Sequence, residues 1–218
     1  MEWLYPIMGV TAVVSYLGFQ SEAFLQAGML KPHQVLQGQI HRLITHGFLH
    51  ADWPHLIFNM LVLWQFGEVV SWHLTSGNVE PGWIPVAPNQ GFVWLYFGGL
   101  LFAGLPAMYK HGHNPGYAAL GASGAVSAVL MAYIVYFPHS RVSFFFIPLP
   151  AVVVGLLFFA YEHYMDRWGR TRVAHDAHLY GALYGLLFAL LTDGDSLPQV
   201  VEAIRTTWEG LFSEQVPG

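Results

Sequence analysis

Four polar side chains have the types and spacing needed for acyl transfer: Ser123 within Gly121-Ala122-Ser123-Gly124, His178 just ahead of Gly181, and the pair His55 and Asn59. Glycines on either side of a serine remove side-chain bulk, so another helix or a substrate backbone can approach the hydroxyl closely. A serine near a helix start also lies beside amide N–H groups that lack intrahelical partners and can hold an oxyanion. Gly181 and Gly185 form a GxxxG seam, and His178 precedes Gly181 by three residues, near the same face. A histidine so placed can reach across to a serine on a small-sided neighbour and take its proton. His175, three residues earlier on roughly the same face, is the alternative base. Asp176 points to nearly the opposite side of a helix, so a Ser–His dyad is expected rather than a triad. His55 and Asn59 are four apart and share a face, with Glu68 deeper on the same helix. The His55 ring N–H, the Asn59 amide and the Ser123 backbone N–H are suitable oxyanion donors, and losing one such donor typically costs about 3 kcal/mol. Each piece has a plainer reading as a packing seam or interhelical hydrogen bonding, and what favours chemistry is their placement together.

That placement follows from the elements that carry them. Of 218 residues, 8 are Lys or Arg and 13 are Asp or Glu, so 10% are charged, against about 25% in soluble domains. With 55% apolar residues and a mean hydropathy of +0.44, the chain reads as all-α and polytopic. Apolar stretches close to the roughly 20 residues of a membrane span recur at residues 4–19, 54–72, 91–108, 117–137, 142–161 and 177–191. The first lacks a basic lead and a small-residue cleavage site, so it reads as a retained span rather than a signal peptide. Residues 1–196 are expected to form one six-helix domain with a long first loop at 20–53. The tail, 197–218, has Val200, Ile204, Trp208 and Leu211 at helical spacing, as in an amphipathic interfacial helix. Spans two, four and six start from the same side of the membrane. Asn59, Ser123 and His178 lie within about the first seven residues of their spans, a common depth of roughly 10 Å or less. The absence of cysteine excludes disulfides, thiolate nucleophiles and cysteine-based metal sites. A net charge of −5 without a basic cluster argues against a nucleic-acid partner.

The combination resembles the rhomboid family of intramembrane serine proteases over nearly the whole chain. Its carriers are His41-Arg42-Leu43-Ile44-Thr45 in the first loop, His55-Leu56-Ile57-Phe58-Asn59, Gly121-Ala122-Ser123-Gly124, and Ala177-His178-Leu179-Tyr180-Gly181. The resemblance implies a Ser123 nucleophile, a His178 general base and an oxyanion site with His55 and Asn59, with Gly121 lining the substrate site. Arg42, Glu68, Gly124, Gly181 and Gly185 take structural parts. It further implies a cut near the membrane surface in another protein's transmembrane segment, entry beside the second and fifth helices, and no metal or organic cofactor. Two positions depart from the family pattern: Ser127 replaces an aromatic that usually stacks on the catalytic histidine, and His41 replaces the aromatic before the first-loop arginine. Phe144, Phe145 and Phe146 followed by Pro148 and Pro150 suggest that the fifth helix is a mobile gate.

Lys31, Arg42, Lys110, Arg167, Arg170 and Arg172 fall on the active-site side, and Arg141 and Arg205 on the other. The positive-inside rule would put the active site in the cytoplasm. The resemblance implies a cytoplasmic N-terminus in the cell (inner) membrane with the site opening to the opposite side, and that topology is adopted. Two other function classes stand beside the protease. One is a non-catalytic rhomboid-like binder of membrane segments, which would not need the retained serine and histidine. The other is a metal or haem protein using some of the twelve histidines, such as His46 with His50, or His111 and His113; HExxH is absent.

Overall fold

The computed structural model of the chain describes residues 2–76, 79–87, 89–144, 147–168 and 174–213. Among the described residues, the body is formed by α1 (Leu4–Gln20), α5 (Trp53–Thr75), α6 (Gly91–His111), α7 (Ser123–Tyr136), α8 (Ala151–Trp168) and α9 (His175–Thr192). The first loop carries α2 (Glu22–Gly28), α3 (Pro32–Leu36), α4 (Arg42–Thr45) and a 3-10 turn, His46–Phe48. A two-stranded antiparallel ribbon, β1 (Arg141–Phe144) with β2 (Ile147–Pro150), precedes α8, and α10 (Ser196–Ser213) ends the described chain.

Helix α7 is the axis of the bundle. It is buried along most of its length, and small residues let its neighbours approach. A Cβ at Gly181 would run into the Gly124 carbonyl, one at Gly185 into the Ala128 carbonyl, and one at Gly124 into Ala103 of α6. Backbone contact of this kind maximises dispersion where no water is available to drive association. Large apolar side chains instead point outward, among them Val13, Phe58, Leu61, Phe102, Leu156 and Leu187. That arrangement is the reverse of a soluble domain, which exposes no apolar belt of this extent. Among the described residues, Gly91–His111 alone is a helix both long and apolar enough by itself to cross a membrane, with a mean hydropathy of 1.5; Leu4–Gln20 and Ser123–Tyr136 are apolar but shorter.

Three span boundaries differ from expectation, one of them the end of the fifth helix, which runs on to Trp168 rather than stopping at 161. Of the expected start of the fifth helix, residues 142–144 and 147–150 instead lie in the ribbon, because prolines at 148 and 150 cannot donate the hydrogen bonds of a helix interior. The prolines therefore precede α8 rather than interrupting it. Phe145 and Phe146, and likewise Arg170, Arg172 and the end of the tail at 214–218, lie outside the described residues. The fourth helix begins at Ser123, not at residue 117. Gly121 adopts φ +123°, outside the right-handed helical region, and Ala119 is bridged to Leu30 by paired backbone bonds of 2.8 and 3.0 Å.

Candidate functional site

The first loop builds the approach to Ser123. Arg42 is buried and donates from Nη1 to the Gln26 and Met29 carbonyls at 2.9 and 2.8 Å and from Nε to Gln39 Oε1 at 2.8 Å. Thr45 Oγ1 donates to the Gly28 carbonyl at 2.8 Å. So pinned, the loop holds the segment before α7 at two points, the Leu30–Ala119 bridge and the Gly121 N–H donating to the His46 carbonyl at 3.0 Å. Ser123 follows as the first residue of α7, with a backbone N–H that has no intrahelical acceptor.

His50 ties the same segment to α1. Its Nε2 accepts the Ala122 N–H at 3.5 Å, so its proton sits on Nδ1 and is donated to Ser15 Oγ at 2.9 Å, while Ser15 donates to the Phe48 carbonyl at 2.9 Å. Burial, with some help from the neighbouring His55, pushes His50 down to about 3. His46, also buried, is lowered to about 4 by desolvation. Both are neutral at pH 7. A small cavity of about 40 Å³ is lined by His46, Tyr117, Gly121, Ser123 and Gly124. Among the described residues, His46 Nε2 has no hydrogen-bond partner.

His55 and Asn59 enter from α5, whose first turn is capped by Asp52 Oδ1 accepting the His55 N–H at 2.8 Å. The His55 ring lies against the Gly121 α-carbon, and Ser123 Oγ is beside the same glycine. Asn59 is buried one turn deeper and spends one amide N–H on the His55 carbonyl at 2.9 Å. Across the Gly181–Gly124 contact, α9 brings His178 to this group, near enough for its ring to interact electrostatically with His55. No hydrogen bond joins Ser123 Oγ to His178 among the described residues; such contacts commonly tighten only when substrate is bound. Glu68 lies at the opposite end of α5, where Tyr5 donates to it at 3.3 Å.

One group was not anticipated. Glu162 of α8 is buried, and its two oxygens accept from His175 Nδ1 at 2.6 Å and His178 Nδ1 at 3.1 Å. A carboxylate therefore reaches His178 after all, from another helix. Asp176 turns instead to Lys110 Nζ at 2.8 Å. The sequence signal was present: an acid within an apolar run is a site candidate, but 162 lies one position past the expected fifth span. In place of the aromatic missing at Ser127, His178 has an edge-to-face contact with His175, ring centroids 6.0 Å apart. Glu162, His175 and His178 also offer ligand atoms within 4.8 Å of one another, a donor set a metal could use. In the earlier histidine pairs, His50 has both ring nitrogens bonded, and His111 stacks on Tyr117 with ring centroids 3.9 Å apart.

Comparison with known proteins gives a consistent result. A sequence model of the Rhomboid domain matches residues 37–193. The chain is 30% identical over 191 residues to Rhomboid protein 1, mitochondrial, of Saccharomyces cerevisiae, covering 85% of this chain and 51% of that one. It is 27% identical over 183 residues to RHOMBOID-like protein 12, mitochondrial, of Arabidopsis thaliana (75% and 50%). It is 28% identical over 179 residues to Rhomboid protease GlpG of Photorhabdus laumondii (82% and 56%). The chain thus spans about half the length of these relatives.

Proposed function

The chain belongs to the rhomboid family of membrane proteins, and from that premise we propose that it is an intramembrane serine endopeptidase cleaving transmembrane segments of other membrane proteins. The observation that carries this reading is the seating of Gly181 on the Gly124 carbonyl, which sets the first turns of α7 and α9 side by side with His55 against Gly121. Ser123 Oγ attacks the scissile carbonyl carbon as His178 Nε2 takes its proton. The oxyanion is held by the Ser123 N–H, a His55 ring N–H and the Asn59 amide. Collapse breaks the C–N bond, with His178 returning the proton to the leaving amine, and water then hydrolyses the acyl-enzyme by the same route. These steps use only the chain's own groups and water.

In this reading α1, α5, α6, α7, α8 and α9 are the six spans of one domain, 1–196. Support comes from the apolar exterior and from family membership rather than from each helix's length. α7 has 14 residues, about 21 Å at 1.5 Å per residue, which leaves Ser123 below a surface that loop one can cover. Helix α10, which carries the described part of the tail, rests on the opposite interface: Val200 and Ala203 face the bundle, and Leu197, Val201, Ile204 and Trp208 are exposed. The N-terminus is cytoplasmic in the cell membrane, with the site opening to the other side. The contrary charge count loses force because Arg42 is committed to loop-one carbonyls and Lys110 pairs with Asp176 and Asp166. Fluorophosphonate labelling and cleavage of a single-span substrate by wild type, with both lost in Ser123→Ala and His178→Ala, is the expected result. Cleavage that survives Ser123→Ala sinks the proposal.

A further inference from the structure

Glu162, His175 and His178 form a closed buried unit whose hydrogen bonding leaves little freedom. Side-chain exposure is 7% for Glu162, 7% for His175 and 16% for His178. A carboxylate only accepts, so each imidazole facing it must carry its proton on Nδ1. Two oxygens meet two N–H groups, at 2.6 and 3.1 Å, and the carboxylate cannot rotate without breaking both bonds. The two histidines stand three residues apart on the first turn of α9, so one helical face presents both rings to one residue of α8.

We propose that Glu162 is the positioning carboxylate of the catalytic histidine, making Ser123, His178 and Glu162 a triad in which His175 locks the carboxylate from its other side. The proposal rests on the reading of His178 as general base. With the proton fixed on Nδ1, His178 presents an Nε2 lone pair, the form that can accept the Ser123 proton. The opposite tautomer would set a nitrogen lone pair against a carboxylate oxygen. When His178 takes the serine proton it becomes an imidazolium already hydrogen-bonded to a negative charge in a water-poor site, which stabilises the transition state. The proton moves from Oγ to Nε2 and then to the leaving amine; Glu162 itself stays ionised. Asp176 cannot substitute, being held by Lys110 and by its own helix at the Ala177 N–H. Metal ligation through the two Nδ1 atoms would shift their protons to Nε2, and His178 would then have no lone pair to take the Ser123 proton.

The test compares wild type, Ser123→Ala, Glu162→Gln and Glu162→Asp as the full chain in detergent, with a single-span substrate. In Glu162→Gln, kcat is expected to fall by about 100-fold with KM nearly unchanged. The acidic limb of kcat/KM should move to lower pH, because an imidazolium without its carboxylate gives up its proton more readily. Glu162→Asp, which restores the charge at a longer reach, should recover part of kcat. A merely structural role would lower thermal stability without moving the acidic limb. If Ser123→Ala is inactive while Glu162→Gln keeps the wild-type kcat and pH limb, this proposal fails and the protease reading stands. If Ser123→Ala cleaves, the protease reading itself fails. Should the Glu162 variants not fold, 15N NMR of histidine-labelled wild type decides. A neutral His178 ring protonated on Nδ1 supports the proposal, and one protonated on Nε2 overturns it. Activity that is lost to chelator and regained with zinc also overturns it, by making the three residues metal ligands.

Discussion

The imidazole of His55 lies over the α-carbon of Gly121: a Cβ built there would stand 2.9 Å from His55 Cε1 and 3.1 Å from Nε2. Glycine is required at this position twice over, by its φ of +123° and by the ring above it. Gly121→Ala is expected to cost about 1–3 kcal/mol in backbone strain and to displace His55 from the oxyanion side. The rate of fluorophosphonate labelling at Ser123 should fall about 100-fold or more, the range seen on losing an oxyanion donor. Unchanged labelling would remove His55 from the site.

Glycines that look alike in sequence differ sharply in what surrounds them. A methyl at Gly185 would meet the Ala128 carbonyl, whereas at Gly9 of α1 nothing lies within 4 Å. Gly185→Ala should therefore push α9 off α7, cost about 1–3 kcal/mol by overpacking and slow cleavage by moving His178. Gly9→Ala should be neutral, or stabilising by up to about 1 kcal/mol through helix propensity. Thermal unfolding of the two variants in one detergent, with cleavage rates alongside, checks the contrast.

How much of this could be read from residues alone depended on what marks each feature. Ser123, His178, His55 and Asn59 stand out because polar groups are rare against an apolar chain, and the Gly181–Gly185 spacing identifies a seam without its partner. Residues 142–150 could not be separated from a helix by hydrophobicity, since a short apolar run reads alike in strand and helix; only Pro148 and Pro150 carried the distinction. The extended segment before Ser123 is imposed by a bridge from Leu30, nearly ninety positions away, which no local pattern encodes. Glu162 was hidden by a boundary drawn at Tyr161, and its partners depend on how α8 packs on α9. The geometry of a polar cluster spanning two helices is a tertiary fact even when each member is visible.

Acid should unfold the protein through its buried loop-one histidines. In the folded chain His46 is lowered to about 4 and His50 to about 3 by burial, while in the unfolded chain both titrate near 6.5. Above that value neither state binds the protons, and the two groups leave stability unchanged. As pH falls below it, the unfolded state is protonated first, so stability declines until the folded pKa is reached. For His46 alone the loss between pH 6.5 and 4 is about 3 kcal/mol. His46→Leu, which removes an atom with no partner among the described residues, should flatten the decline in Tm over that range. A wild-type Tm independent of pH from 7 to 4.5 would contradict the assignment.

Stability and activity should separate at the far end of the bundle. There His73, near the end of α5, places Nε2 3.0 Å from Asp193 Oδ2, with the pair buried beneath Tyr136 and Phe137. His73 is fourteen positions beyond Asn59, about 21 Å along the helix, so the pair touches none of the reacting groups. Its physical effect is to fasten the end of α5 to the end of α9, where Gly194 N–H also bonds the Glu80 carbonyl at 3.0 Å. Removing one partner of a buried pair strands the other, at a cost of about 3–5 kcal/mol. Asp193→Ala should therefore lower Tm by at least as much as Gly185→Ala, yet leave kcat of the folded enzyme within about two-fold of wild type, because uniform structural support does not enter the barrier. A loss of kcat matching that of Gly185→Ala would instead mean that the two ends of α9 move together, and that the α7–α9 seam alone does not hold His178 in place.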